Sequence, residues 1–231
     1  MVIAIIAVLA ALAFPVWGRM RASSMAATCT ANLRTLHQAT MHFAADNNGF
    51  FPVAKTPRAA ELWVFKLAGT TSDSPGYLGL PGATPMQRQT ALVKLNSSRA
   101  PFCLWCPATE EAHPRPPGNL NTYALNVNVG GTGRDWPNNP QPLPNRTTLQ
   151  VTSPARTALF MDAGIRPNGA YGVWVGDEGF MPSPVHPPSI FKETDNPARS
   201  VNIVFVDGHV EMRRIGDIPT DISDPFWRGT P

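Results

Sequence analysis

The sequence predicts an α+β chain: a long N-terminal helix, half membrane-spanning and half amphipathic, packed on a small antiparallel β-sheet with long Pro- and Gly-rich loops. Three observations point there. Met1 to Gly18 contains no charged side chain. Of the 25 prolines, all but Pro15 lie beyond residue 50, so only the first fifty residues are free to form continuous helix. Two strand-like runs meet at Asp207-Gly208, a dipeptide that favours hairpin turns.

The elements follow in order. Residues 1–18 form the transmembrane or filament-core half of the helix, carried by Val2, Ile3, Ile5, Ile6, Val8, Leu9, Leu12, Phe14 and Pro15. Uncharged apolar runs of about 18 residues are candidates to cross a ~30 Å hydrocarbon core. Residues 19–48 form an amphipathic stalk, in which Met25, Cys29, Leu33, Leu36, Thr40 and Phe43 recur at three- and four-residue steps. Asp46-Asn47-Asn48-Gly49 then stops the helix, with Gly49 as a left-handed cap and Pro52 beyond it. A helix from Val2 to Ala45 spans roughly 66 Å. That exceeds what one globular core covers, so one half must be buried in a domain and the other in lipid or in other subunits. Pro15 is expected to kink or locally melt it.

Residues 49–231 form the head. A short helix is expected around 59–67. Strands are expected over 122–129, with Leu125, Val127 and Val129 on one face, over 157–161 ending at Asp162, and over 172–176. The hairpin strands are expected over 201–206 and 209–215, with Asp207 and Gly208 as a two-residue turn. With so much proline, the rest of the head reads as turns and loops.

Charge narrows the function. Arg19, Arg21 and Arg34 account for the whole net charge of +3, leaving residues 46–231 neutral. A neutral body lacks the basic footprint of a nucleic-acid-binding protein. Three cysteines fit one disulfide and a spare thiol, or no disulfide.

The chemistry-bearing residues are sparse. Cys103-Leu104-Trp105-Cys106 has the spacing of a redox pair or half a zinc site, but no second CxxC exists and Pro107 follows it. Asp207, His209 and Asp162 are candidates for a metal-dependent corner. The simpler reading makes Asp207 and Gly208 turn residues. Asp162, Asp177 and Asp207 are the candidate oxygen ligands for a weak Ca2+ site. His37, His42, His113, His186 and His209 are scattered, and the two on the helix do not share a clean face. Phosphate-loop, nucleophile-elbow and zinc-protease motifs are absent. No catalytic residue and no cofactor is assigned. Trp63, Trp105, Trp136, Trp174 and Trp227 would serve a sugar-binding face, although their spread fits core and loop packing better.

The order Val-Ile-Ala-Ile-Ile-Ala-Val-Leu-Ala-Ala-Leu-Ala-Phe-Pro (Val2 to Pro15) resembles the prepilin-type cleavage and methylation segment of type IV pilins and type II secretion pseudopilins. The apolar run and its proline match. The basic leader, the cleavage glycine and the acidic residue of that family are absent, and the expectation is a coding start further upstream. Cys29 to Leu36, Ala45 to Pro52, Cys106-Pro107, Asn121 to Asn126 and Val204 to Glu211 are similar to a bacterial pseudopilin-like group whose C-terminal signature is a histidine, nine residues and Asp-Gly. Here Pro197 stands where that histidine would be. The resemblance implies a Cys29–Cys106 disulfide with Cys103 spare.

It also implies a non-catalytic subunit of a type II secretion or type IV pilus-like assembly, single-pass in the inner membrane, with its head in the periplasm or on a filament. The implied partners are like subunits, a prepilin peptidase if a leader exists, and a secretion or pilus assembly platform. A membrane-anchored, exported module binding a glycan or other surface ligand is the alternative. A metal-dependent enzyme is third.

Overall fold

A computed structural model describes residues 2–54, 56, 62–112, 121–132, 143–162, 174–175 and 200–229. The first helix, α1 (Val2–Asp46), has 45 residues and is unbroken through Pro15, so the expected local melting is absent. A proline removes one intrahelical hydrogen bond, and the flanking turns hold the helix together. The side chains of α1 are described from Met20 on, Ala22 excepted. The expected stripe faces the core from Cys29 on: Cys29, Leu33, Leu36 and Thr40 are fully buried and Phe43 nearly so, while Met25 is only partly buried. Between Met20 and Thr28 the described side chains are mostly exposed, with Met20 at 66%.

The expected membrane-spanning half is corrected here. Among the described residues no helix is long and apolar enough to cross a membrane. The part of α1 with described side chains bears exposed Arg21, Arg34 and Gln38 away from its apolar stripe, a pattern that suits a half-buried helix and not a lipid-embedded one. The apolar positions from Val2 to Pro15 lie outside the described side chains.

The helix stops as its terminal residues dictate. Asn48 (φ 54°) and Gly49 (φ 82°) both adopt left-handed backbone. The Gly49 amide donates to the Ala44 carbonyl at 2.7 Å, closing the last turn. From Cys29 onward the apolar stripe of α1 packs in one core cluster with residues of the head.

Three further helices precede the sheet. α2 (Trp63–Ala68) covers the later part of the helix expected near 59–67, and residues 57–61 are outside the described set. α3 (Pro85–Ser98) arises where loops were expected. Pro85 occupies the first turn, where its missing N–H costs nothing. Thr84 and Gln87 form a reciprocal capping box around it. α4 (Pro107–Ala112) follows the second cysteine of the CxxC.

The sheet contains β1 (Tyr123–Asn126), β2 (Ala158–Asp162), β3 (Trp174–Val175), β4 (Ser200–Phe205) and β5 (Val210–Arg214), in spatial order β3-β1-β2-β4-β5. β1, β2, β4 and β5 are antiparallel neighbours, but β3 runs parallel to β1. The sheet is therefore mixed, because the chain re-enters at the β1 edge in the same direction as β1. Of the strand expected over 172–176, only Trp174–Val175 is described.

The strand expected over 122–129 ends early. Asn126 accepts a hydrogen bond from the Asn128 amide at 3.0 Å and caps a single helical turn, α5 (Val127–Gly130). Both faces of the sheet are covered. Leu125, Phe160 and Val204 pack with α1 in one cluster. Ala124, Met161, Ile203 and Phe205 pack on the other face with Phe226 and Trp227 of α6 (Pro225–Arg228). A register shift between Ala158 and Phe160 puts the consecutive residues Leu159 and Phe160 into the α1 cluster together, which strict alternation forbids.

Candidate functional site

The β4–β5 turn was the first candidate. Gly208 donates to the Phe205 carbonyl at 2.9 Å, so Val206 and Asp207 are the central turn residues and Gly208 follows in left-handed backbone (φ 94°). The connection thus has three residues, Val206 to Gly208, in place of the two-residue turn expected at Asp207-Gly208. It is docked on the long helix. His37 Nε2 donates to the Val206 carbonyl at 3.0 Å, and a Cβ on Gly208 would come within 2.7 Å of the His37 ring. Asp207 Oδ1 accepts from the His209 amide at 3.1 Å and lies 2.6 Å from His209 Nδ1. The His209 ring stacks on Phe205 with centroids 4.3 Å apart. These residues build and seat a turn.

Asp162 does not join them. It sits at the far end of β2, where Oδ2 accepts from the Asn202 amide at 2.8 Å and from Asn202 Nδ2 at 3.0 Å. Val206 pairs with Thr157 at the opposite end of the same strand. The strand rise places Asp162 and Asp207 on the order of 15 Å apart. Asp177 and Pro197 lie outside the described residues. Among the described residues no three His, Cys, Asp or Glu side chains group as a metal site.

Asp162 is nevertheless a stressed carboxyl. Burial pushes its pKa up to about 6, only partly offset by the two Asn202 hydrogen bonds. Its Oδ1 is buried without a partner among the described residues. Because the folded pKa lies above the unfolded value, the native state holds an extra proton between about pH 4 and 6. Stability is therefore expected to fall by about 3 kcal/mol as pH rises through that window, and to stay low above it. Asp162→Asn retains an acceptor for both Asn202 donors and removes the charge. Urea titrations at pH 4 and pH 7 should show that it flattens this dependence. An unchanged pH profile in the variant would refute the assignment.

Cysteine chemistry resolves simply. Cys29 and Cys106 form a disulfide with Cα atoms 4.8 Å apart, and Cys103 is the free thiol. Burial pushes the Cys103 thiol up to about 12, so it stays protonated at neutral pH. A protonated thiol beside a cysteine already bonded elsewhere is no CxxC redox pair. The tryptophans are also accounted for: Trp63, Trp105 and Trp227 are buried in the core and present no ring face to solvent. Trp136 and the side chain of Trp174 are outside the described set.

A concave feature lies elsewhere, at the C-terminal end of α1. A cleft of about 540 Å3 is lined by Asp46, Asn47 and Asn48, by Phe43 and Phe50 to Val53, by Lys66 and Asp73, and by Asn145. The helix stop builds one wall. The amide of Phe51 donates to the Arg146 carbonyl, while Asn145 Nδ2 donates to the Phe51 carbonyl at 3.0 Å, and these bonds fix the opposite wall. Lys66 pairs with Asp73 across the rim. Tyr77 donates to Asp46 Oδ2 at 3.0 Å, and burial together with that carboxylate pushes the phenol up to about 12. Phe50 stays 40% exposed beside the cleft. The described residues that line it include no histidine, cysteine, serine or threonine. The ionisable side chains among the described lining residues are Asp46, Lys66 and Asp73. In the sequence, Asp46 to Pro52 reads as a helix stop and as part of the pseudopilin-like resemblance; its run of amides and aromatics is the available signal for the cleft.

Compared with protein-family models, characterised proteins and solved structures, the chain matches none of them significantly.

Proposed function

We propose that the chain is a non-catalytic structural subunit of a pilin-like or pseudopilin-like assembly, which acts by association through its N-terminal helix. The asymmetry of α1 carries this reading. Burial in the head begins at Cys29, the residues just upstream are mostly exposed, and the helix continues to Val2. That leaves ~40 Å of helix axis upstream of Cys29. Its sequence is apolar and uncharged up to Gly18, with Ala4, Ala7, Ala10, Ala11 and Ala13 interspersed. Apolar side chains favour apolar neighbours, and small residues let neighbouring helices approach closely. The Cys29–Cys106 bridge supports a head that resides in an oxidising compartment. Like subunits are the partners, and an assembly platform and a prepilin peptidase belong to the same reading.

Ile6→Arg in the full-length protein tests it. In the native cells, the wild type should be recovered in sheared high-molecular-weight fractions and the variant should not. The head's thermal transition should be the same in both. A wild type found only as monomer, or a variant that assembles equally well, would refute the proposal.

A further inference from the structure

We infer that the cleft at the C-terminal end of α1 is a binding site for a neutral saccharide. The inference is independent of the assembly reading, since it concerns only the head. The volume of about 540 Å3 lies within the range of small-molecule sites and leaves room for a short oligosaccharide.

The polar groups select the ligand class. Tyr77 engages only one oxygen of Asp46, leaving the other without a partner among the described residues. Asn145 spends its amide nitrogen on the Phe51 carbonyl, which leaves its oxygen as an acceptor. Asn48, exposed and held in left-handed backbone, has no hydrogen-bond partner for its amide among the described residues. Two acceptors and one amide that both donates and accepts match a ligand rich in hydroxyls, each of which does the same.

The other classes fit less well. An anion would meet Asp46 and Asp73, while Lys66 is already paired with Asp73. A wholly apolar ligand would strip water from the carboxylate and amides without replacing their hydrogen bonds. A cation would find Asp46, already bonded to Tyr77 through one oxygen, and Asp73, already paired with Lys66. A sugar ring also has an apolar face of C–H groups, and the exposed ring of Phe50 is the surface on which it would pack. The cleft lies at the end of α1 remote from Val2, so burial of the N-terminal helix against other subunits would leave it open.

The test is titration of the full-length protein with cellohexaose, chitohexaose and maltohexaose, followed by saturation-transfer NMR and calorimetry. At least one should bind with a Kd of roughly millimolar or tighter. Phe50→Ala and Asn48→Gly should each weaken that binding about tenfold. Both leave the fold in place: Phe50 is half-exposed, and glycine accepts the φ of 54° at position 48. Met86→Ala, a change at an exposed position of α3, should leave affinity unchanged. Failure of all three glycans to bind would overturn the inference. Equal loss in Met86→Ala, or binding that survives Phe50→Ala and Asn48→Gly, would also overturn it. Because Ile6→Arg leaves the cleft untouched, loss of assembly and loss of glycan binding are separately observable.

Discussion

Replacing Cys29 and Cys106 together by serine is expected to lower the free energy of unfolding by about 2–4 kcal/mol. The bridge joins residues 77 apart, so cutting it releases a long loop in the unfolded chain. The chain-entropy argument for a loop of that length gives an upper value of about 4.5 kcal/mol. The bridge also ties the first fully buried residue of the α1 stripe to the residue that precedes α4. Urea unfolding should show the lower midpoint in the double variant, and reductant should shift the wild type to match. Cys103→Ser leaves the bridge intact and is expected to cost less. A double variant as stable as the wild type would show that the bridge contributes nothing.

Asn126→Ala is expected to cost about 3 kcal/mol. The side chain is fully buried. Its amide nitrogen donates to the Ala158 carbonyl of β2 and the Trp227 carbonyl of α6, each at 2.8 Å, while its oxygen accepts from the Asn128 amide. Alanine would leave two carbonyls and one N–H buried without partners. Asn126→Asp should be worse near neutral pH, because a carboxylate would face both carbonyl oxygens where a donor is needed. Thermal melts should rank the proteins wild type, then alanine, then aspartate. Tryptophan fluorescence should report loosening of α6, since Trp227 Nε1 is fixed to the Pro219 carbonyl at 2.8 Å. An aspartate variant as stable as the wild type would refute the assigned hydrogen-bond roles.

Local chemistry was legible where it decided the outcome. The α1 stripe from Cys29 to Phe43 shows in the spacing, and its stop at Asn48-Gly49 follows from residues that tolerate left-handed backbone. α3 was legible too, but the proline count obscured it: Thr84-Pro85-Met86-Gln87 starts a helix, and Pro85 helps where an interior proline would harm. β1 looked longer than it is because Val127 and Val129 continue its apolar pattern. Only the tertiary contacts of Asn126 turn the chain there. The Asp207-Gly208 turn gained a residue for a similar reason, since the seat against His37 favours glycine after the turn proper. Nothing local shows that Asp162 and Asp207 lie at opposite ends of β2. The cysteine pairing came only from family resemblance, because three thiols permit several answers. The cleft was hidden because it joins the end of α1 to α2 and to the segment around Asn145, and no sequence window contains all three.

The position of the Cys29–Cys106 bridge has a mechanical meaning. It sits where the exposed part of α1 enters the head. Tension applied along the helix from its N-terminal side reaches this covalent link before it reaches the packing of Leu33, Leu36 and Phe43. The pull passes through sulfur into the chain at Cys106, so the helix cannot be peeled from the sheet residue by residue from that end. A reduced head would have only side-chain packing and hydrogen bonds to resist the same force. Single-molecule pulling should therefore find the oxidised head rupturing at a distinctly higher force than the reduced one.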